Sequence, residues 1–242
     1  MKEHLINPTK PEEIVKELFS DNSLIINEFA KYFSKEILEF SELFSTGYKK
    51  YLELDRLLKK TENIQKAYTQ GFAYLIYDNL LTSVKLLILG HQAPSGNAMR
   101  QAIESVAMAI LCSSKDEIEI PNGKKGTKHI NFYEKLRDNK QEAKSNKSIG
   151  YLELNCNKLS VNKDAVDILK KSRSFFHNYS HPSQLSLATT MSFETPERMF
   201  ICGGFDIGKM KEYKKELTHR ANFCKVLPNI IEGLIIKLKQ IP

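Results

Sequence analysis

No stretch of this chain approaches the ~18 consecutive apolar residues that a membrane-spanning helix requires, so no membrane span is expected. Met1-Lys2-Glu3-His4 opens without the apolar segment of a signal peptide. The four cysteines, Cys112, Cys156, Cys202 and Cys224, are scattered and form no Cys-x-x-Cys pair. They read as free thiols of a cytoplasmic protein rather than a disulfide frame or a zinc site. A His-Glu-x-x-His motif, a dense carboxylate cluster and an internal repeat are all missing. Gly203-Gly204 matches no phosphate loop, and Ser180 and Ser183 beside His181 have no acid-oriented triad. No cofactor or metal is therefore expected.

At 242 residues and 41% hydrophobic content, the chain can bury a sizeable core. Its net charge of +7 is uneven. Residues 1–45 hold five Lys/Arg against nine Asp/Glu, and the excess of positive charge lies in the remainder. The densest basic stretch runs from Lys124 to Lys147 and includes Lys125, Lys128, Lys135, Arg137, Lys140 and Lys144. Such a surface favours polyanions, RNA among them, with Lys124, Lys125 and Lys128 as contacts. The plain alternative is a solvated loop followed by a short exposed helix.

Periodicity predicts a mainly α fold, a helical bundle with a β-hairpin before the last helix. One helical domain is expected over 1–242: N-terminal helices at 1–60, a central bundle at 61–181, the hairpin at 185–205 and a C-terminal helix at 206–242. Ser45-Thr46-Gly47 is expected to interrupt the second helix. Gly90 should end a long apolar helix that starts at Thr61, and Pro94-Ser95-Gly96 should form a turn before the next. Ile118 and Ile120 alternate with Glu117 and Glu119 as in a short strand, followed by a turn-rich loop. Gln141 to Lys147 reads as polar and mobile. Ser160 should cap a helix reaching about His181, with Pro182 fixing its end and Ala165, Ile168, Phe176 and Tyr179 on its core face. Alternation from Leu185 to Phe193, a turn at Glu194-Arg198 and a return from Met199 to Phe205 predict the hairpin. Pro228 should kink or split the last helix.

Two helical segments carry charge where a core helix should not. Glu104 is the sole charge after Arg100 in a segment apolar on nearly every face. Arg173, His177 and His181 recur at helical spacing on one side of a later helix. A buried carboxylate must find a partner or lose its charge. Packed together, Arg100, Glu104, Arg173, His177 and His181 would make one polar cluster. Three readings follow. The groups can simply satisfy one another, with His181 favoured by a helix C-terminus. They can form a metal-free RNA-cleaving site, with Arg173 holding phosphate and His177 and His181 as acid and base. Or His177, His181 and Glu104 can ligate a metal.

A helical bundle with an Arg/His motif near the end of a late helix resembles the HEPN superfamily of prokaryotic nucleases and nucleotide-binding domains. The resemblance covers roughly Thr61 to His181 and rests on Arg173, its polar neighbour Ser174, and His177 or His181. It implies a metal-independent ribonuclease or toxin-type effector, as in antiphage systems, acting as a homodimer with the motif at the interface. Arg100-x-x-x-Glu104 and Tyr179-Ser180-His181-Pro182-Ser183 also look like those of all-helical bacterial families of uncharacterised activity, which implies no reaction. The competing expectation is a non-catalytic helical interaction protein whose cluster is structural.

Overall fold

The computed structural model describes residues 7–58, 63–195 and 197–241. The N-terminal residues 1–6 and the expected break between 60 and 61 lie outside the described residues. The mainly α architecture holds, with one small antiparallel hairpin ahead of the last helix.

Helix α1 spans Pro11–Leu18, with proline in its first turn, where the missing N–H is not needed. Helix α2 runs Ser23–Leu58 as one element, and the expected interruption at Gly47 is absent. Its backbone leaves helical geometry at Phe33 instead. Gly47 stays helical because the Tyr77 ring packs on it, and the Tyr77 hydroxyl donates to the Gly47 carbonyl at 2.8 Å. Phe44, Tyr48, Tyr51 and Tyr77 pack ring against ring, so Tyr48 and Tyr51 serve the core.

Helices α3 (Ile64–Ile88) and α4 (Gln92–Cys112) form the central hairpin. Asn63 caps α3, its side chain accepting from the Lys66 N–H. Gly90 makes the reversal at φ +84°, and a Cβ there would strike the Gly204 backbone. Pro94, Ser95 and Gly96 are not a turn but the opening of α4, which a proline tolerates. From Ala102 to Cys112 every side chain of α4 is buried, because neighbours cover it on all sides.

The sheet is β1 (Ile118–Pro121) paired antiparallel with β2 (Thr127–Ile130), Ile118 facing Ile130. The Asn155 side chain bonds both the N–H and the C=O of Glu119 at 2.8 Å, completing β1's other edge. Next come α5 (Phe132–Arg137) and α6 (Ser145–Leu154), so residues 141–147 are ordered rather than a polar loop. Helix α7 spans Lys163–His177 and is capped by Asn162, not Ser160. It ends well before Pro182, and its buried face is Val166, Leu169 and Phe176, whereas Ile168 is exposed.

The hairpin expected at 185–205 is a correction. Residues 184–190 are helix α8 (Gln184–Thr190), because Ser183 and Ser186 close a capping box that starts a helix at that point. A single bridge, Met191 to Met199, is all the pairing found in this segment among the described residues. Helix α9 (Met210–Lys239) follows a tight turn capped by Asp206 and continues through Pro228 as one helix. It packs along α2, and α6 and α7 pack on α4.

Candidate functional site

Glu104 projects from α4 and is 4% exposed. Its Oε1 accepts from Arg173 Nε at 3.1 Å, across from α7, and lies 3.5 Å from Arg100 Nη1, one turn back on α4. Arg173 Nη2 donates to the Asn146 carbonyl at 3.4 Å, which ties α6 to the same point. Arg100 Nη2 donates to Asn97 Oδ1 at 3.3 Å, and the Ser180 hydroxyl donates to that same oxygen at 2.8 Å. Two guanidinium groups therefore share one carboxylate, leaving an excess of positive charge.

His177 is the last residue of α7, so His181 is not its helical neighbour as the spacing predicts. The chain turns after Asn178, and that turn brings the two imidazoles into edge contact, ring centres 4.6 Å apart. His181 is exposed and His177 half-buried. Burial, then the neighbouring His181, Arg173 and Arg100, hold the His177 pKa below its ordinary value of 6.5, against an opposite pull from Glu104. His177 is thus neutral at pH 7. Its Nδ1 is buried with no hydrogen-bond partner among the described residues, as is Arg100 Nε.

The five expected residues do come together. The metal arrangement does not form, since Glu104 is engaged by arginines and no group of metal-ligating side chains assembles among the described residues. Sequence reasoning missed Asn97, Ser180 and the Asn146 carbonyl, which are small or backbone groups with no spacing signal.

It also missed a second, deeper cluster. Arg220 on α9 is fully buried. It donates to Ser83 Oγ at 2.8 Å, Ser95 Oγ at 2.7 Å and the Glu216 carbonyl at 2.9 Å, and it pairs with the Glu216 carboxylate. Tyr179 donates to the other oxygen of Glu216. Burial and Glu216 together push the Tyr179 phenol up, so it stays a donor. Tyr179 lies against Gly96, where any Cβ would overlap its ring. This cluster joins α3, α4, α9 and the turn that carries Ser180 and His181. The signal was present: Glu216 and Arg220 fall on the apolar stripe of Tyr213, Leu217 and Cys224.

The basic stretch divides. Lys124 and Lys125 are exposed in the turn between β1 and β2. Lys128 pairs with Glu142 at 3.0 Å, which reduces its value as a phosphate contact. Lys144 and Lys147 are exposed on either side of Asn146, whose carbonyl accepts from Arg173, and Lys147 Nζ donates to the Gln141 carbonyl.

Comparison with protein-family models, curated proteins and solved structures finds no match to this chain. No described helix is long and apolar enough to cross a membrane.

Proposed function

We propose that the Arg100/Glu104/Arg173/His177/His181 cluster is a metal-independent ribonuclease site of toxin type. The observation that carries this reading is the contact between the two imidazoles beside paired arginines. Burial and then the neighbouring His181 hold the His177 pKa down, which keeps that ring neutral and able to accept a proton. That ring serves as the base and the other as the acid, as general acid–base catalysis requires. Neutral His177 takes the proton from a ribose 2′-hydroxyl. The 2′-oxygen attacks phosphorus, the bond to the 5′-oxygen breaks, and His181 protonates that oxygen. Arg173 holds the phosphate, and Arg100 shares Glu104 so that the carboxylate does not neutralise Arg173 fully.

Lys144, Lys147, Lys124 and Lys125 supply the attraction for the RNA backbone. The homodimer belongs to the same proposal. It is supported by Leu187, Phe193, Met199 and Ile201, exposed apolar side chains on the segment that follows His181.

A second reading rests on a specific observation. Glu104 is nearly buried and bonded from both α4 and α7, which is also what a packing clamp would be. In that reading the chain is a non-catalytic interaction protein. His177→Ala separates the two. A catalytic His177 predicts loss of RNA cleavage with an almost unchanged melting temperature. A clamp, which is made by Glu104 and its two arginines, predicts a wild-type protein that cleaves no RNA.

A further inference from the structure

Between α4, α7 and α9 lies a cavity of about 620 Å³, away from the imidazole pair. Val106 and Ile110 come from α4, Ile168 and Leu169 from α7, and Phe223 and Ile230 from α9. That volume, with mostly apolar walls and few polar groups, is typical of a small-molecule site. Ile168 is 62% exposed and Val226 46% exposed at this opening, apolar side chains bared where the fold leaves room.

The cavity is elongated. Helix α9 lines it from His219 to Lys237 at helical spacing, a span of roughly 27 Å at the α-helical rise. Lys237 stands at one end. Its Nζ donates to the Leu159 carbonyl at 2.7 Å, and no carboxylate pairs with it among the described residues. Burial lowers its pKa, with no counter-charge to offset the effect. At the other end, burial and Arg220 lower the His219 pKa, so that imidazole is neutral at pH 7. One cation at the end of a long apolar slot is too little for a nucleotide's phosphates. It suits one carboxylate on an alkyl chain.

We propose that this cavity binds a single-chain alkyl carboxylate, its chain along Val106, Ile168, Phe223 and Ile230 and its carboxylate on Lys237 Nζ. The proposal is independent of the reading of the imidazole pair.

Gly233 provides the test. It lines the cavity, and a Cβ added there meets nothing within 4 Å. Gly233→Leu therefore fills the cavity without a backbone clash and improves helix propensity. The full chain is titrated calorimetrically with dodecanoate and with dodecanol. Dodecanoate is expected to bind saturably, and dodecanol roughly tenfold more weakly, the worth of one charge-assisted hydrogen bond. Gly233→Leu should abolish binding with no fall in melting temperature, and Lys237→Met should make the acid as weak as the alcohol. Equal binding of acid and alcohol to the wild-type chain overturns the proposal. So does dodecanoate binding that Gly233→Leu leaves unchanged, or binding that appears only where dodecanoate forms micelles.

Discussion

Arg173 Nε reaches Glu104 Oε1 at 3.1 Å, joining α7 to the most deeply buried helix of the fold. Arg100 approaches the same oxygen, so the carboxylate is the hub and the guanidinium groups are the spokes. Glu104→Ala should remove both attachments and leave two cations facing each other. A loss of about 1–3 kcal/mol in urea unfolding is expected, moderated because both arginines are partly solvated. Arg100→Ala, which leaves the Arg173 pair intact, should lose less.

The cluster around Arg220 should be far less tolerant. Its guanidinium satisfies Ser83, Ser95 and Glu216 at once in a site without solvent. Arg220→Met leaves Glu216 buried with only Tyr179 as a side-chain donor, and a loss of about 3–5 kcal/mol is expected. Arg220→Lys should not rescue it, because an ammonium lacks the planar fork that spans four acceptors. Thermal unfolding of the two variants checks this, and a lysine variant as stable as wild type would count against the role of the fork.

Much of this organisation is legible in the chain. A single carboxylate, Glu104, inside an apolar run is a signal for a buried ion pair, because an unpaired charge could not stay there. Arg100 and Glu104 pair at their i, i+4 spacing, and Arg173 reaches the same carboxylate. His181 reaches the cluster by another route, a turn after His177, because the helix ends earlier than Pro182 suggests. The alternation at Leu185 to Phe193 misleads because a local signal outweighs it. Ser183 and Ser186 satisfy each other's backbone groups and start a helix that buries none of its side chains. The hairpin of β1 and β2 is only half legible, since β2 alternates weakly and the glycine-containing turn hides the register. Arg220 escapes notice because a charge on a long amphipathic helix is ordinarily solvated.

Acid should destabilise the fold through His219. Its pKa is lowered in the folded state, by burial first and by Arg220 second. Well above pH 6.5 the ring is neutral whether folded or unfolded, and it contributes no pH dependence. As pH falls below 6.5, the unfolded chain takes up a proton that the folded chain resists, so stability declines until the folded ring also titrates. His177 adds to the slope with the same sign. Denaturation measured from pH 7.5 downward should show this slope, and His219→Gln should flatten it.

If RNA lies along the basic turn, binding should weaken steeply with salt. Lys124→Glu with Lys125→Glu should lower affinity and reduce the salt slope without changing the melting temperature, since both side chains are exposed. Lys128→Glu should differ. It sets a carboxylate beside Glu142, and so should also lower stability. Filter binding across a salt series distinguishes the two effects.

The imidazole pair is tested most directly by the ends of the RNA it leaves. The purified chain is incubated with a single-stranded RNA in excess EDTA, and the product termini are analysed. Attack by the 2′-oxygen predicts 2′,3′-cyclic phosphate and 5′-hydroxyl ends, lost in both His177→Ala and His181→Ala while each variant remains folded. Uncleaved RNA with the wild-type chain, or cleavage that survives loss of both histidines, would contradict the account.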